Sequence, residues 1–166
     1  IRDADIGGDG VYKSTDAGKI RRNMGLRDSW HICRVVIHPK NPDIVFVAAL
    51  GHVFGPNKER GLYRTADGGK TWEKVLFINE DAGFIDLQMD PGDPDTLYAA
   101  AYAVRRGGFA GGNPARQFSA DAGLFKTTDG GKTWKRLTKG LPDRPCGRCG
   151  LSVCRKDPRV VYAVVS

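Results

Sequence analysis

Gly123-Leu-Phe-Lys-Thr-Thr-Asp129-Gly-Gly131-Lys-Thr-Trp134 decides the fold: a short strand, a tight turn and the first residue of a returning strand. The Asp129 carboxylate can accept backbone N–H bonds inside its own hairpin turn, and Gly131 supplies the backbone freedom that turn demands. The flanking hydroxyls can complete the network, and Trp134 can bury itself under the turn. A near-identical copy stands at Gly61-Leu-Tyr-Arg-Thr-Ala-Asp67-Gly-Gly69-Lys-Thr-Trp72. A looser copy stands at Gly10-Val-Tyr-Lys-Ser-Thr-Asp16-Ala-Gly18-Lys. There Ile20 and Arg21 replace the expected Thr and Trp, so that turn is expected to be less firmly pinned.

A second repeated element falls between these copies. It reads Ile37-His-Pro-Lys-Asn-Pro42-Asp, then Met89-Asp-Pro-Gly-Asp-Pro94-Asp, then Val153-Cys-Arg-Lys-Asp-Pro158-Arg. The unit is therefore about 50 to 60 residues long, near the length of a four-stranded propeller blade. In the first whole unit the expected strands are 33–37, 44–50, 61–65 and 72–76; in the second, 85–89, 96–103, 123–127 and 134–138. The expected fold class is all-β, a partial β-propeller of four-stranded antiparallel blades. Residues 1–25 would end one blade, 26–78 and 79–140 would form complete blades, and 141–166 would start the next. Propellers commonly close with four to eight blades. The chain is thus expected to be a segment of a longer protein whose remaining blades are its first partners.

Composition narrows the function classes. No window approaches 18 uninterrupted apolar residues, so no membrane-spanning helix is expected. Ile1-Arg2-Asp3-Ala4-Asp5 contains neither an initiator Met nor an apolar leader core. The net charge of +7 comes without an aromatic RNA-binding strand, recognition helix or zinc-finger spacing, so a basic solvated surface is expected rather than a nucleic-acid site. Cys146-Gly-Arg-Cys149 has metal-like spacing but lacks a second short-spaced pair, and Cys33 and Cys154 do not supply one. No metal or cofactor is expected. Gly107-Gly-Phe-Ala-Gly-Gly112 is not followed by a helix, which excludes a phosphate-binding loop.

The Thr-x-Asp-Gly-Gly-Lys-Thr-Trp element is the Asp-box, or BNR motif. Through it, and through Ile37-His-Pro-Lys-Asn-Pro-Asp, Ala49-Leu-Gly-His52-Val-Phe-Gly-Pro56-Asn and Lys139-Gly-Leu-Pro, nearly the whole chain resembles sortilin-like and BNR-repeat propellers. The bacterial glycosyl-hydrolase-like group is the nearest in character. That resemblance implies an extracytoplasmic protein, secreted or periplasmic. It leaves the activity open, because function lives in the site and not in the fold.

Up-and-down blades place the Asn-Pro-Asp turns and Asp-boxes on one face. The long loops, about 23–32, 51–60, 77–84, 104–122 and 139–148, fall on the other. On this reading Asp16, Gly18, Asp67, Gly69, Trp72, Asp129, Gly131 and Trp134 are structural. Ligand-binding candidates are Trp30, His31, His52, Tyr102, Arg105 and Arg106, with Phe54, Asn57, Arg60 and Phe109 nearby. An aromatic beside Arg or His offers a sugar or acidic ligand a flat platform edged with donors. A glycosidase needs two facing carboxylates. The candidates are Asp81 and Asp86, the latter equally readable as a structural acid paired with Arg34 or Arg148. The leading expectation is a module that binds a glycan or protein partner. The alternative is part of a glycoside hydrolase whose catalytic carboxylates lie partly outside this segment.

Overall fold

The computed structural model describes residues 7–106, 114–116 and 118–166. β1 (Tyr12–Lys13) pairs with β2 (Arg22–Asn23). β3 (Ile32–Ile37), β4 (Val45–Ala49), β5 (Gly61–Thr65) and β6 (Glu73–Leu76) form a four-stranded antiparallel sheet in sequence order. β7 (Ala82–Met89) and β8 (Leu97–Ala103) open a second such sheet. A small hairpin of β9 (Arg105–Arg106) and β10 (Pro114–Arg116) then leaves it, before β11 (Gly123–Thr127) and β12 (Lys135–Leu137) complete it. β13 (Cys149–Val153) and β14 (Val161–Val165) pair at the end. The chain is a partial β-propeller of four-stranded antiparallel blades. Strand ends move by at most three residues from the sequence reading; the largest shift brings β7 forward to Ala82. The β9–β10 hairpin and the 3-10 turn at Arg27–Ser29 have no sequence signal.

The continuous apolar runs of β4 and β8 follow from burial on both faces. Alternate residues of a strand point to opposite sides. Phe46 and Ala48 face Phe84, Leu87, Leu97, Ala99 and Ala101 in one core between the two full sheets. Val47 and Ala49 face the preceding pair of strands, packing with Val11 and Leu26 and with Trp72 of their own sheet. Ala100 faces the following pair through Cys146, Cys149 and Leu151. The core therefore sits between sheets, with Phe84 and Phe125 meeting edge to face at 5.8 Å.

Turn chemistry repeats atom for atom. In the second Asp-box, Thr71 donates its amide to Asp67 Oδ1 at 3.0 Å and its hydroxyl to Oδ2 at 2.6 Å. The Thr65 hydroxyl donates to Asp67 Oδ1 at 2.7 Å and accepts from the Gly69 amide at 3.0 Å. Thr127, Asp129, Gly131 and Thr133 repeat this at 2.7, 3.1, 2.9 and 2.5 Å. The first copy keeps the backbone bonds, Ile20 N–H to Asp16 at 2.9 Å and Gly18 N–H to Ser14 Oγ at 2.8 Å, but has no hydroxyl at Ile20 to donate. Gly68 and Gly130 donate to the carbonyls of Asp43 and Asp95, each at 2.9 Å. That bond ties each Asp-box to the Pro-Asp turn of its own sheet. Trp134 Nε1 returns to Gly131 O within its turn at 3.1 Å, whereas Trp72 Nε1 reaches across to Met24 O at 2.6 Å.

The donors around Asp67 and Asp129, the Thr71 and Thr133 hydroxyls first, hold both carboxyls well below the ordinary value of 3.8. A folded-state value below the unfolded one contributes stability that is complete above the unfolded value and lost as pH falls from there through the folded value. Melting temperature is therefore expected to drop progressively below about pH 4. The Asp67→Asn/Asp129→Asn protein should show a flatter acid limb in the same series of melts.

Candidate functional site

The long loops are stitched to one another through the backbone. Leu50 N–H donates to His31 O at 2.8 Å, Asn57 N–H to Glu80 O at 2.9 Å, and Arg106 N–H to Val53 O at 2.8 Å. Four of the loops thus form one surface at the end of the blades away from the Asp-boxes.

Trp30, His52 and Phe54 come together on it. The Trp30 and His52 rings meet edge to face with centroids 4.4 Å apart, and His52 meets Phe54 at 5.9 Å. Trp30 is 38% exposed and Phe54 39%, so the stack presents apolar ring surface to solvent. Trp30 holds this place with a positive φ of 55°, while its carbonyl accepts from Gly8 N–H at 2.8 Å. A non-glycine residue in that region stores strain that the surroundings must offset. His31 packs Nδ1 against Gly51 O at 2.9 Å, which places it as a loop anchor beside the stack.

A second group lies at the β8 end. Arg105 pairs with the Asp81 carboxylate. Tyr102 is half-buried opposite Gly83, and burial raises its phenol above the ordinary value, with Arg148 and Arg106 opposing. The Arg106 side chain is exposed. Phe109 lies outside the described residues.

Arg60 differs from its sequence reading as a loop residue facing a ligand. It is 0% exposed, so no ligand can touch it. Its guanidinium donates to the carbonyls of Asp81 at 2.9 Å, His52 at 2.6 Å and Val104 at 3.2 Å. Burial pulls it down to about 10, still charged at neutral pH. Nothing in the repeat marks this role, because the matching positions are Asp9 and Ala122.

Asp81 and Asp86 do not face each other across a cleft. Four residues of β7, Ala82 to Ile85, lie between them, about 16 Å along extended chain. Paired glycosidase carboxylates stand about 5 to 9.5 Å apart. Asp86 is 8% exposed and accepts from Arg34 Nε at 3.1 Å, Leu87 N–H at 2.9 Å, Gln88 Nε2 at 3.2 Å and Leu151 N–H at 2.9 Å. It clasps β3 and β13 to β7, and Arg34 is its ion-pair partner. A bulge in each of β3 and β7 puts Arg34 and Asp86 at the same position of successive sheets, opposite Ala48 and Ala100.

The family profile for Sortilin-Vps10 (Sortilin, neurotensin receptor 3) matches residues 9–161. The chain belongs to the Sortilin-Vps10 family. This Sortilin-Vps10 chain is 26% identical over 151 residues to a probable oligoxyloglucan-reducing end-specific xyloglucanase of Neosartorya fischeri, covering 90% of the chain and 16% of that protein. It is 30% identical over 84 residues to vacuolar protein sorting/targeting protein 10 of Colletotrichum graminicola, covering 51% of the chain and 4% of that protein. Among solved structures it resembles an ancestral GH74 enzyme, with a TM-score of 0.66 at 22% identity over 96% of the chain and 19% of the enzyme. The GH74 xyloglucanase from Xanthomonas campestris gives 0.64 at 15% identity, over 95% and 24%. At these identities the structural likeness concerns the fold. The chain spans less than a quarter of each of these relatives.

Proposed function

We propose that this Sortilin-Vps10 segment forms a saccharide-binding face within a larger extracytoplasmic propeller protein. The half-exposed Trp30–His52–Phe54 stack carries the reading. Aromatic faces suit the apolar face of a sugar ring, and the Tyr102, Arg105 and Arg106 group supplies hydrogen-bond donors on the same loop face. Further blades would cover the apolar surface left open at β14, where Tyr162 is 73% and Val164 72% exposed.

A second reading is a glycoside hydrolase whose catalytic carboxylates come from outside this segment. The relatedness to the xyloglucanase along 90% of the chain favours it. Within the segment, Asp81 and Asp86 are already engaged, with Arg105 and with Arg34 and Leu151.

Calorimetric titration of the full-length protein with xyloglucan oligosaccharides tests both readings. Saturable binding without turnover is expected, weakened about tenfold or more by Trp30→Ala and by the Tyr102→Ala/Arg105→Ala pair. Turnover of the oligosaccharides by the full-length protein would point to the hydrolase reading. Unchanged affinity in both would remove the site from this face.

A further inference from the structure

The six ligand-binding candidates and Asp81 fall in four segments, 30–31, 52, 81 and 102–106. Three of those segments converge on a residue that touches no ligand. We infer that Arg60 is the positioning residue of the loop face: one buried guanidinium sets the relative placement of three segments, and with them both halves of the proposed saccharide site. The inference rests on the saccharide-binding reading for its ligand and on independent geometry for its mechanism.

Each of the three Arg60 hydrogen bonds ends on a different segment. The His52 carbonyl belongs to the aromatic stack. The Asp81 carbonyl belongs to the residue whose carboxylate holds Arg105. The Val104 carbonyl lies between Tyr102 and Arg105-Arg106. Main-chain carbonyls are acceptors in any sequence, so the arrangement depends on the planar fork of Arg and not on matched partner side chains. A buried cation that lost one carbonyl would leave a further donor unsatisfied, which couples the three contacts energetically.

Close packing supports the same point from two other atoms. A Cβ at Gly51 would lie 2.5 Å from Arg60 Cγ and 2.5 Å from Asn57 Oδ1, so only glycine lets the chain pass there. Asn57 accepts from Arg60 N–H at 3.3 Å through its carbonyl and donates its own amide to Glu80 O. Arg60 Nε makes no hydrogen bond among the described residues, so the side chain is held from its tip.

Hydrogen exchange on the full-length protein reads the positioning without any ligand. In Arg60→Met, amides of 52–53, 81–82 and 104–106 are expected to exchange about tenfold or more faster together, while the Asp-box segments 65–72 and 127–134 keep their protection. Arg60→Lys keeps the charge but lacks the fork, and an intermediate loss over the same three segments is expected. Acceleration confined to 51–60, or spread evenly over all blades, would overturn the inference; an unfolded Arg60→Met leaves Arg60→Lys to decide between these patterns. Titration with xyloglucan oligosaccharides then adds the functional arm. Arg60→Met is expected to weaken binding as much as Tyr102→Ala/Arg105→Ala does, with Arg60→Lys in between. Parent-like affinity in Arg60→Met would overturn the positioning role. If the parent itself binds no oligosaccharide, the proposed function fails and the exchange pattern alone decides the role of Arg60.

Discussion

Replacing Gly83 by Ala is expected to destabilise the protein by roughly 3 kcal/mol, the upper end for overpacking a close-packed interior. A Cβ at Gly83 would stand 2.6 Å from Leu50 Cα and 2.7 Å from Leu50 C. Both are backbone atoms, so no side chain can rotate away. Gly83 is the second residue of β7, and Leu50 follows β4 in the neighbouring sheet, so the clash falls between two blades. The denaturation midpoint of Gly83→Ala measures the effect. Gly55→Ala, whose Cβ would meet no atom within 4 Å, is the control and is expected to melt with the parent. Equal midpoints for all three proteins would mean that the blades part at Gly83 without cost.

Replacing Asp86 by Ala is expected to cost roughly 2–4 kcal/mol. Removing one member of a buried ion pair typically costs about 3–5 kcal/mol. The figure here is reduced because the Arg34 side chain is 48% exposed and can rehydrate. The Leu151 amide is left without its acceptor as well, which adds a desolvation penalty at a buried position. Asp86→Asn keeps an acceptor for Leu151 but turns an NH2 towards Arg34, so it should recover only part of the loss. Equilibrium unfolding of the two variants gives the order Ala below Asn below parent. Any activity lost in an Asp86 variant must be compared with that unfolding curve before a catalytic role is assigned.

The two carboxylates chosen from the sequence show where local reading stops. Asp86 was legible as an acid on an innermost strand with Arg34 as one possible partner. That the partner is Arg34, and that a third strand donates Leu151 N–H to the same carboxylate, depends on two bulges and on packing between sheets. Bulges carry no residue signature in Ile32-Cys33-Arg34 or in Phe84-Ile85-Asp86. Likewise Trp30, His52 and Phe54 were each legible as loop aromatics, but their stacking needs the positive φ of Gly51 and the unusual backbone of Trp30. Arg60 was misread because a charged residue at the end of a long loop is ordinarily solvated.

Turn chemistry acts over a handful of residues, so the Asp-boxes, the Pro-Asp turns and their period could be read from the chain alone, and with them the blades and the propeller. Each Asp is satisfied by amides and hydroxyls within four residues of itself. The loop face obeys no such local rule. Its contacts join residues 8, 21 and 44 positions apart through main-chain carbonyls, which every residue possesses and no sequence pattern marks. Folding alone decided that a buried arginine, and not an exposed one, would hold the candidate site together.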